Sequence, residues 1–230
     1  MSTAQWQESI GPISSRYYLH RLDLRQSEEE LFSNFHKDCV QRKIRRAERE
    51  SLRYQEGTSE TLLSQFYNLL ILTRRKHGLP PQPLIWFRSL MSSFGKDLTI
   101  RVALKNETPI ASILTLSHKR TMTYKYGCSD PQFQNLGGTA LLFWRAITKA
   151  RAEGIEELDM GRSDIDNAGL IAFKEHWGAK RSILNYRRYP AASVSPEERK
   201  WAGWLAKHLI SVVPDAPLIK LGRLLYRHIG

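Results

Sequence analysis

The sequence predicts an α/β fold: a mixed, mostly antiparallel sheet flanked by helices, with an N-terminal helix pair and a helical C-terminal tail. Three observations predict it. Between Leu98 and Gly127 the apolar pattern has a period of two and is broken by turn signals at short intervals. Helical periodicities precede this stretch, and a glycine-opened helix leads out of it into a further strand.

The elements follow in order. Tyr17–Leu24 alternates as a strand, and Ser27 followed by Glu28, Glu29 and Glu30 supplies an N-cap and an acidic first turn. That helix is expected to run from about Glu28 into the basic cluster of Arg42, Lys43, Arg45, Arg46 and Arg49. A second helix starts after Gly57, presents Leu62, Phe66, Leu69, Leu70 and Thr73 on one face, and stops near Gly78 before Pro80, Pro81 and Pro83. A short helix spans about Leu84 to Phe94. Leu98–Leu104, Pro109–Ser117 and Thr121–Gly127 form an antiparallel meander, with Asn106-Glu107 as the first turn. Gly137-Gly138 opens a long helix that Gly154 ends, and Glu157–Met160 leaves it in β-α-β fashion. A helix over about Ala168 to Trp177 and a strand over Ser182–Tyr189 close the unit. The small and polar residues from Pro190 to Glu197 place a boundary there, giving a domain over 1–190 and a basic helical tail over 191–230, with Trp201, Trp204, Leu205, His208 and Leu209 at helical spacing.

Composition bounds the function. With 41% hydrophobic residues, six Trp and nine Tyr, the chain can fill a real core. Cys39 and Cys128 lie far apart and suggest neither a disulfide framework nor a zinc site, so a reducing, cytoplasmic setting is expected. Met1–Gly11 has no secretory pattern, and no run approaches the roughly 20 apolar residues that cross a bilayer. The net charge of +12 and pI near 9.8 predict attraction to polyanions: RNA, anionic headgroups or phosphate-rich small molecules.

More specific is the succession Tyr126-Gly-Cys-Ser-Asp130, Ala140-Leu-Leu-Phe-Trp-Arg-Ala-Ile147, Leu158-Asp-Met-Gly-Arg162, Asn167-Ala-Gly-Leu170, Phe173-Lys174 and Trp177-Gly178. Together with Arg42-Lys-Ile-Arg-Arg-Ala-Glu-Arg49, it resembles the Fem-type (FemABX-like) branch of the GNAT acyltransferases, including relatives linked to exopolysaccharide systems, over about Leu24 to Tyr189. The resemblance implies a GNAT-like sheet in which two central strands splay apart to admit an acyl donor. It also implies aminoacyl or acyl transfer to an amine of a cell-envelope or polysaccharide precursor. Fem-type proteins carry two such domains, and this chain resembles the second alone, so a homodimer or a separate partner is expected to replace contacts from the first.

Within this frame, Lys174 is the candidate for stabilising the charge that develops during transfer, a role the resemblance implies; the plain alternative is an exposed lysine on a helix face. Asp159 and Arg162 flank a strand end, where they either orient an amine and bind an anion or simply pair with each other. Tyr124 and Tyr126 are expected on one face of a central strand, where the plain reading is core packing and the functional one is a hydroxyl from either, with Tyr126 as the candidate, that assists proton transfer if it points into the cleft. Arg42, Arg45 and Arg46 form an anion-binding set by analogy with the family's basic segment, against the plain reading of a solvated face; Asn167 joins the substrate-binding candidates. Gln134, Gly137, Gly138 and Thr139 are similar to a loop that cradles pyrophosphate at a helix start, with Thr139 in place of the final glycine. His36, His77, His118 and His176 read as ordinary residues. No tightly bound cofactor or metal is expected; the donor is charged tRNA or acyl-CoA. The basic, Trp- and Leu-bearing tail suits peripheral contact with an anionic inner membrane, which would bring a lipid-linked acceptor within reach, and suits packing on the domain or across a dimer equally well. Two rival functions share the composition: an acetyl-CoA-dependent N-acetyltransferase, and a non-catalytic RNA- or membrane-binding module.

Overall fold

The computed structural model describes residues 13–187 and 214–226. Seven strands form one sheet in the order β2-β3-β4-β5-β6-β1-β7: β1 Ile13–Asp23, β2 Arg53–Gly57, β3 Leu98–Lys105, β4 Thr108–His118, β5 Thr121–Ser129, β6 Glu157–Asp164 and β7 Lys180–Arg187. The helices are α1 Glu28–Asn34, α2 Arg42–Arg49, α3 Glu60–Lys76, α4 Leu84–Phe94, α5 Gly138–Ala152, α6 Ala168–Glu175 and α7 Asp215–Leu225. All neighbouring strands are antiparallel except β5 and β6.

Helices cover the sheet on two sides. On one side α1, α2, α5 and α6 pack on a core built around Leu142, Phe143, Ile147, Leu158 and Trp177. On the other, α3 and α4 bury Phe66, Leu70 and Phe87 against Ile100, Val102 and Leu114 of β3 and β4. Helix α7 joins this second side: Leu218 is fully buried, Arg75 pairs with Asp215, and Gly222 lies so close to Pro81 that a Cβ there would strike the Pro81 carbonyl. The expected boundary at Pro190 and the tail residues Trp201 to Leu209 lie outside the described residues. No described helix is long and apolar enough to cross a membrane.

Two expectations change. The first helix does not run into the basic cluster. It is held at its start by a capping box between Ser27 and Glu30, but ends at Asn34, where Phe35 turns to extended backbone and buries its ring at 2% exposure. His36 then caps a separate five-residue π-turn, Lys37–Gln41, before α2 begins. The short strand β2 is an addition, because Arg53-Tyr-Gln-Glu-Gly57 carries no apolar alternation. Backbone pairing with β3 holds it at the sheet edge. Its Tyr54 and Glu56 also satisfy the buried Arg101, whose Nε lies 3.0 Å from the Tyr54 hydroxyl and 3.1 Å from Glu56.

The centre of the sheet is open. Strands β5 and β6 pair only through Thr121–Thr123 and Glu157–Asp159, then separate, so that Tyr124–Ser129 and Met160–Asp164 form the two sides of a wedge. Each strand is deformed where it parts. In β5 the register shifts between Tyr124 and Tyr126. In β6 the shift falls between Asp159 and Arg162, with Gly161 at φ +73°.

Candidate active site

The β6 irregularity positions the buried cation of the wedge. Glycine at 161 adopts a left-handed conformation that other residues adopt at a cost. Its amide donates to Asp159 Oδ1 at 2.7 Å, while its carbonyl accepts from Lys174 Nζ at 2.8 Å. Lys174 also donates to the Arg162 carbonyl at 3.0 Å. Reaching down from α6, Lys174 is 2% exposed, which removes the exposed-lysine alternative. Burial lowers its pKa to about 8, opposed in part by the Asp159 charge. An ammonium has three donors and two are used here.

His20 of β1 sits under the same helix, completely buried, with neither ring nitrogen hydrogen-bonded among the described residues. Burial, and after it the Lys174 charge, lowers its pKa and holds it in the neutral form. Sequence reasoning passed over His20, although it shares the inward parity of the strand with Leu22.

Of the two alternatives for Asp159 and Arg162, the mutual ion pair does not form. Asp159 lies 3.9 Å from Arg21 Nε. Arg162 instead lies against two rings, 4.4 Å from the Tyr17 centroid and 5.0 Å from that of Tyr186. Both side chains leave β6 away from the α5 core that takes in Leu158 and Met160.

Tyr124 and Tyr126 do not share a face, because the irregularity between them reverses the side-chain alternation. Tyr124 packs on Phe143 of α5, its hydroxyl tucked beside Gly127 and its pKa driven up by burial. Tyr126 turns to the opposite side, against Phe66 and Phe87, where Trp86 Nε1 donates to its hydroxyl at 3.3 Å. There it borders a cavity of about 600 Å³ that also includes Leu84, Ile85, Trp86, Arg88 and Arg223. Tyr126 and Lys174 therefore belong to opposite layers, and the wedge is the opening between them.

The donor-loop candidates converge. Gln134, Gly137, Gly138 and Thr139 line one groove of about 210 Å³ at the start of α5, beside Lys43 and Phe173. Each glycine also has a packing reason: Gly137 is at φ +81° with the Lys43 carbonyl against it, and Gly138 is pressed on Ile110 and Ala111. No side chain caps this helix.

Within the basic cluster it is Lys43, not the three selected arginines, that lines this groove. Arg42 pairs with Asp38 at 3.2 Å, Arg46 pairs with Glu50 at 2.6 Å, and Arg45 lies over the Phe32 ring at 5.5 Å. The arginines thus behave as a solvated face, laced with i,i+4 pairs. Asn167 is the N-cap of α6, its Oδ1 accepting from the Leu170 amide at 3.1 Å. The Cys128 thiol is buried against the Phe66 and Ser112 carbonyls, and burial drives its pKa up, so it is not a thiolate nucleophile.

Comparison with known proteins agrees with this architecture. The family model described as "Acetyltransferase (GNAT) domain" matches residues 35–175. FemX has a similar fold, with a TM-score of 0.64 at 15% identity over 74% of this chain; the match spans 61% of FemX. L-PGS from Bacillus licheniformis is similar over 90% of this chain and 69% of its own, with a TM-score of 0.53 at 13% identity. No curated protein sequence matches the chain. The family match, covering more than half of the sequence and containing the parted strands and the glycine-opened helix, places this chain among the GNAT acetyltransferase-domain proteins.

Proposed function

We propose that this protein transfers an aminoacyl or acyl group from a phosphate-bearing donor, charged tRNA or acyl-CoA, to an amine of a cell-envelope or polysaccharide precursor. The observation that carries the reading is the wedge: β5 and β6 part after three residue pairs, with Lys174 bound to the β6 carbonyls beside the opening. The groove at Gly137-Gly138 on the α5 side suits a donor phosphate, since uncapped amides and Lys43 meet there. The Tyr126 cavity on the opposite side suits the acceptor.

The reaction is a direct displacement. The amine nitrogen attacks the donor carbonyl carbon, a C–N bond forms, and the C–O bond of the tRNA ester or the C–S bond of the thioester breaks. The free donor of Lys174 stabilises the tetrahedral oxyanion, and Asp159 orients the amine and takes its proton, which passes to the leaving group or to water. A lipid-linked acceptor, peripheral membrane contact, and a homodimer or separate partner that completes the acceptor side belong to the same reading.

The test incubates the full chain with charged tRNA and, separately, acetyl-CoA, each with a panel of amino-sugar acceptors. Transfer from charged tRNA supports the aminoacyl form. Transfer from acetyl-CoA alone selects the N-acetyltransferase form, which the Gly137-Gly138 groove also favours. If no donor is used and none raises the melting temperature, while RNA or anionic vesicles bind with steep salt dependence, the protein is a binding module and the reading fails.

A further inference from the structure

His36 and Cys39 stand at the start of the π-turn that interrupts the first helical stretch, and His176 stands at the end of α6. The fold brings them together. The His36 amide donates to the His176 carbonyl at 2.8 Å, the two imidazole centroids are 4.4 Å apart, and one potential ligand atom from each of the three residues lies within 4.8 Å of the others. Cys39 and His176 face a cavity of about 260 Å³ that also takes in Lys43, Thr139 and Gly169.

From this arrangement we propose a divalent-cation site of the zinc type, formed by His36, Cys39 and His176 and independent of the acyl-transfer reading. Two imidazoles and one thiolate, with no carboxylate, make a borderline-soft donor set that selects Zn²⁺ over Mg²⁺ or Ca²⁺. Three protein ligands leave the fourth tetrahedral position open, and the cavity supplies room there for water or an anionic oxygen. Lys43 would meet the same oxygen.

Binding exchanges defined bonds. Five of the six waters leave the aqueous ion and one stays in the fourth position, one metal–sulfur and two metal–nitrogen bonds form, and the Cys39 thiol proton passes to solvent. His36 also gives up a cap, because its Nδ1 now accepts from the Cys39 amide at 3.2 Å. Keeping that cap needs a free Nδ1 lone pair, whereas a coordinating Nε2 needs the proton on Nδ1. A single long hydrogen bond is a small loss against a metal bond. Sequence spacing concealed the site: His36 and Cys39 are only a pair, and their third partner lies on a helix far along the chain.

The full chain, stripped with a chelator, is titrated with Co²⁺ and then with Zn²⁺ against a chromophoric competitor. The expected result is one equivalent per chain, four-coordinate cobalt bands, a sulfur-to-cobalt charge-transfer band, and a zinc Kd tighter than about 1 µM. Cys39→Ser removes the charge-transfer band and His176→Gln weakens zinc by at least about tenfold, whereas Cys128→Ser changes neither. Circular dichroism and melting in the absence of metal check that each variant folds. A Cys39→Ser protein that folds and keeps the band, or a parent that takes up less than one equivalent at that affinity, overturns the site.

Discussion

Lys174→Met separates the chemical role of the buried lysine from its structural one. The substitution keeps most of the stem and removes two hydrogen bonds from a charged donor, to the Gly161 and Arg162 carbonyls. At about 1.5–3 kcal/mol each, these come to roughly 3–6 kcal/mol. Against them stands the cost of burying the ammonium. A pKa held at about 8 instead of 10.5 corresponds, at about 1.4 kcal/mol per pH unit, to roughly 3 kcal/mol at neutral pH, or roughly 2 after allowing for solvent at the charged end. The net destabilisation is therefore about 1–4 kcal/mol, which leaves a sound fold still able to assemble. Loss of an oxyanion donor lowers turnover by about 10²–10³. Thermal melting and single-turnover transfer from the active donor measure the two quantities on one preparation. A folded Lys174→Met protein with unchanged transfer would refute the role assigned to Lys174, and a protein that does not fold at all would refute the offset between lost bonds and relieved desolvation.

Further expectations follow from the same contacts. Gly137→Ala forces a left-handed alanine and drives a Cβ into the Lys43 carbonyl, so denaturant unfolding should show a loss of at least about 2 kcal/mol; an unchanged midpoint would mean that α2 and α5 are not in close contact there. Gly127→Ala collides with the Tyr124 hydroxyl, and adding Tyr124→Phe should recover part of the loss, with a coupling energy of about 0.5–3 kcal/mol in a double-mutant cycle; strict additivity would place the Tyr124 ring elsewhere. Glu56→Gln leaves Arg101, 4% exposed, without its carboxylate and should cost roughly 3 kcal/mol by denaturant unfolding. The pH dependence has the matching sign. Burial pushes the Glu56 carboxyl up, but Lys149, Tyr54 and Arg101 together outweigh it and hold the pKa below 4.5. Its contribution is complete above 4.5 and disappears as the pH falls through the lowered value, so the Glu56→Gln difference should shrink in acid.

The elements with strong local signals were legible. The β3–β5 meander, the glycine start of α5 and the capped α3 helix each state their geometry through period, turn residues and caps. What escaped had no such signal. Strand β2 is polar and is held by its neighbour, and the break at Phe35 results from the core claiming an aromatic ring, not from a helix-breaking residue. The irregularities in β5 and β6 were equally hidden, since only Gly161 hinted at one, and yet they decide which way Tyr126, Asp159 and Arg162 point.

By itself the sequence determined the family, the order of the elements from α3 onward and the residue types gathered along β6 and α6, because these depend on local periodicity and on short motifs. Tertiary structure alone decided that Lys174 is buried, that Tyr124 and Tyr126 part company, that Lys43 takes the groove in place of Arg42, Arg45 and Arg46, and that His36, Cys39 and His176 meet. The reason is that burial, side-chain facing and the convergence of distant segments depend on strand pairing and layer packing, and no window along the chain contains both partners of such contacts.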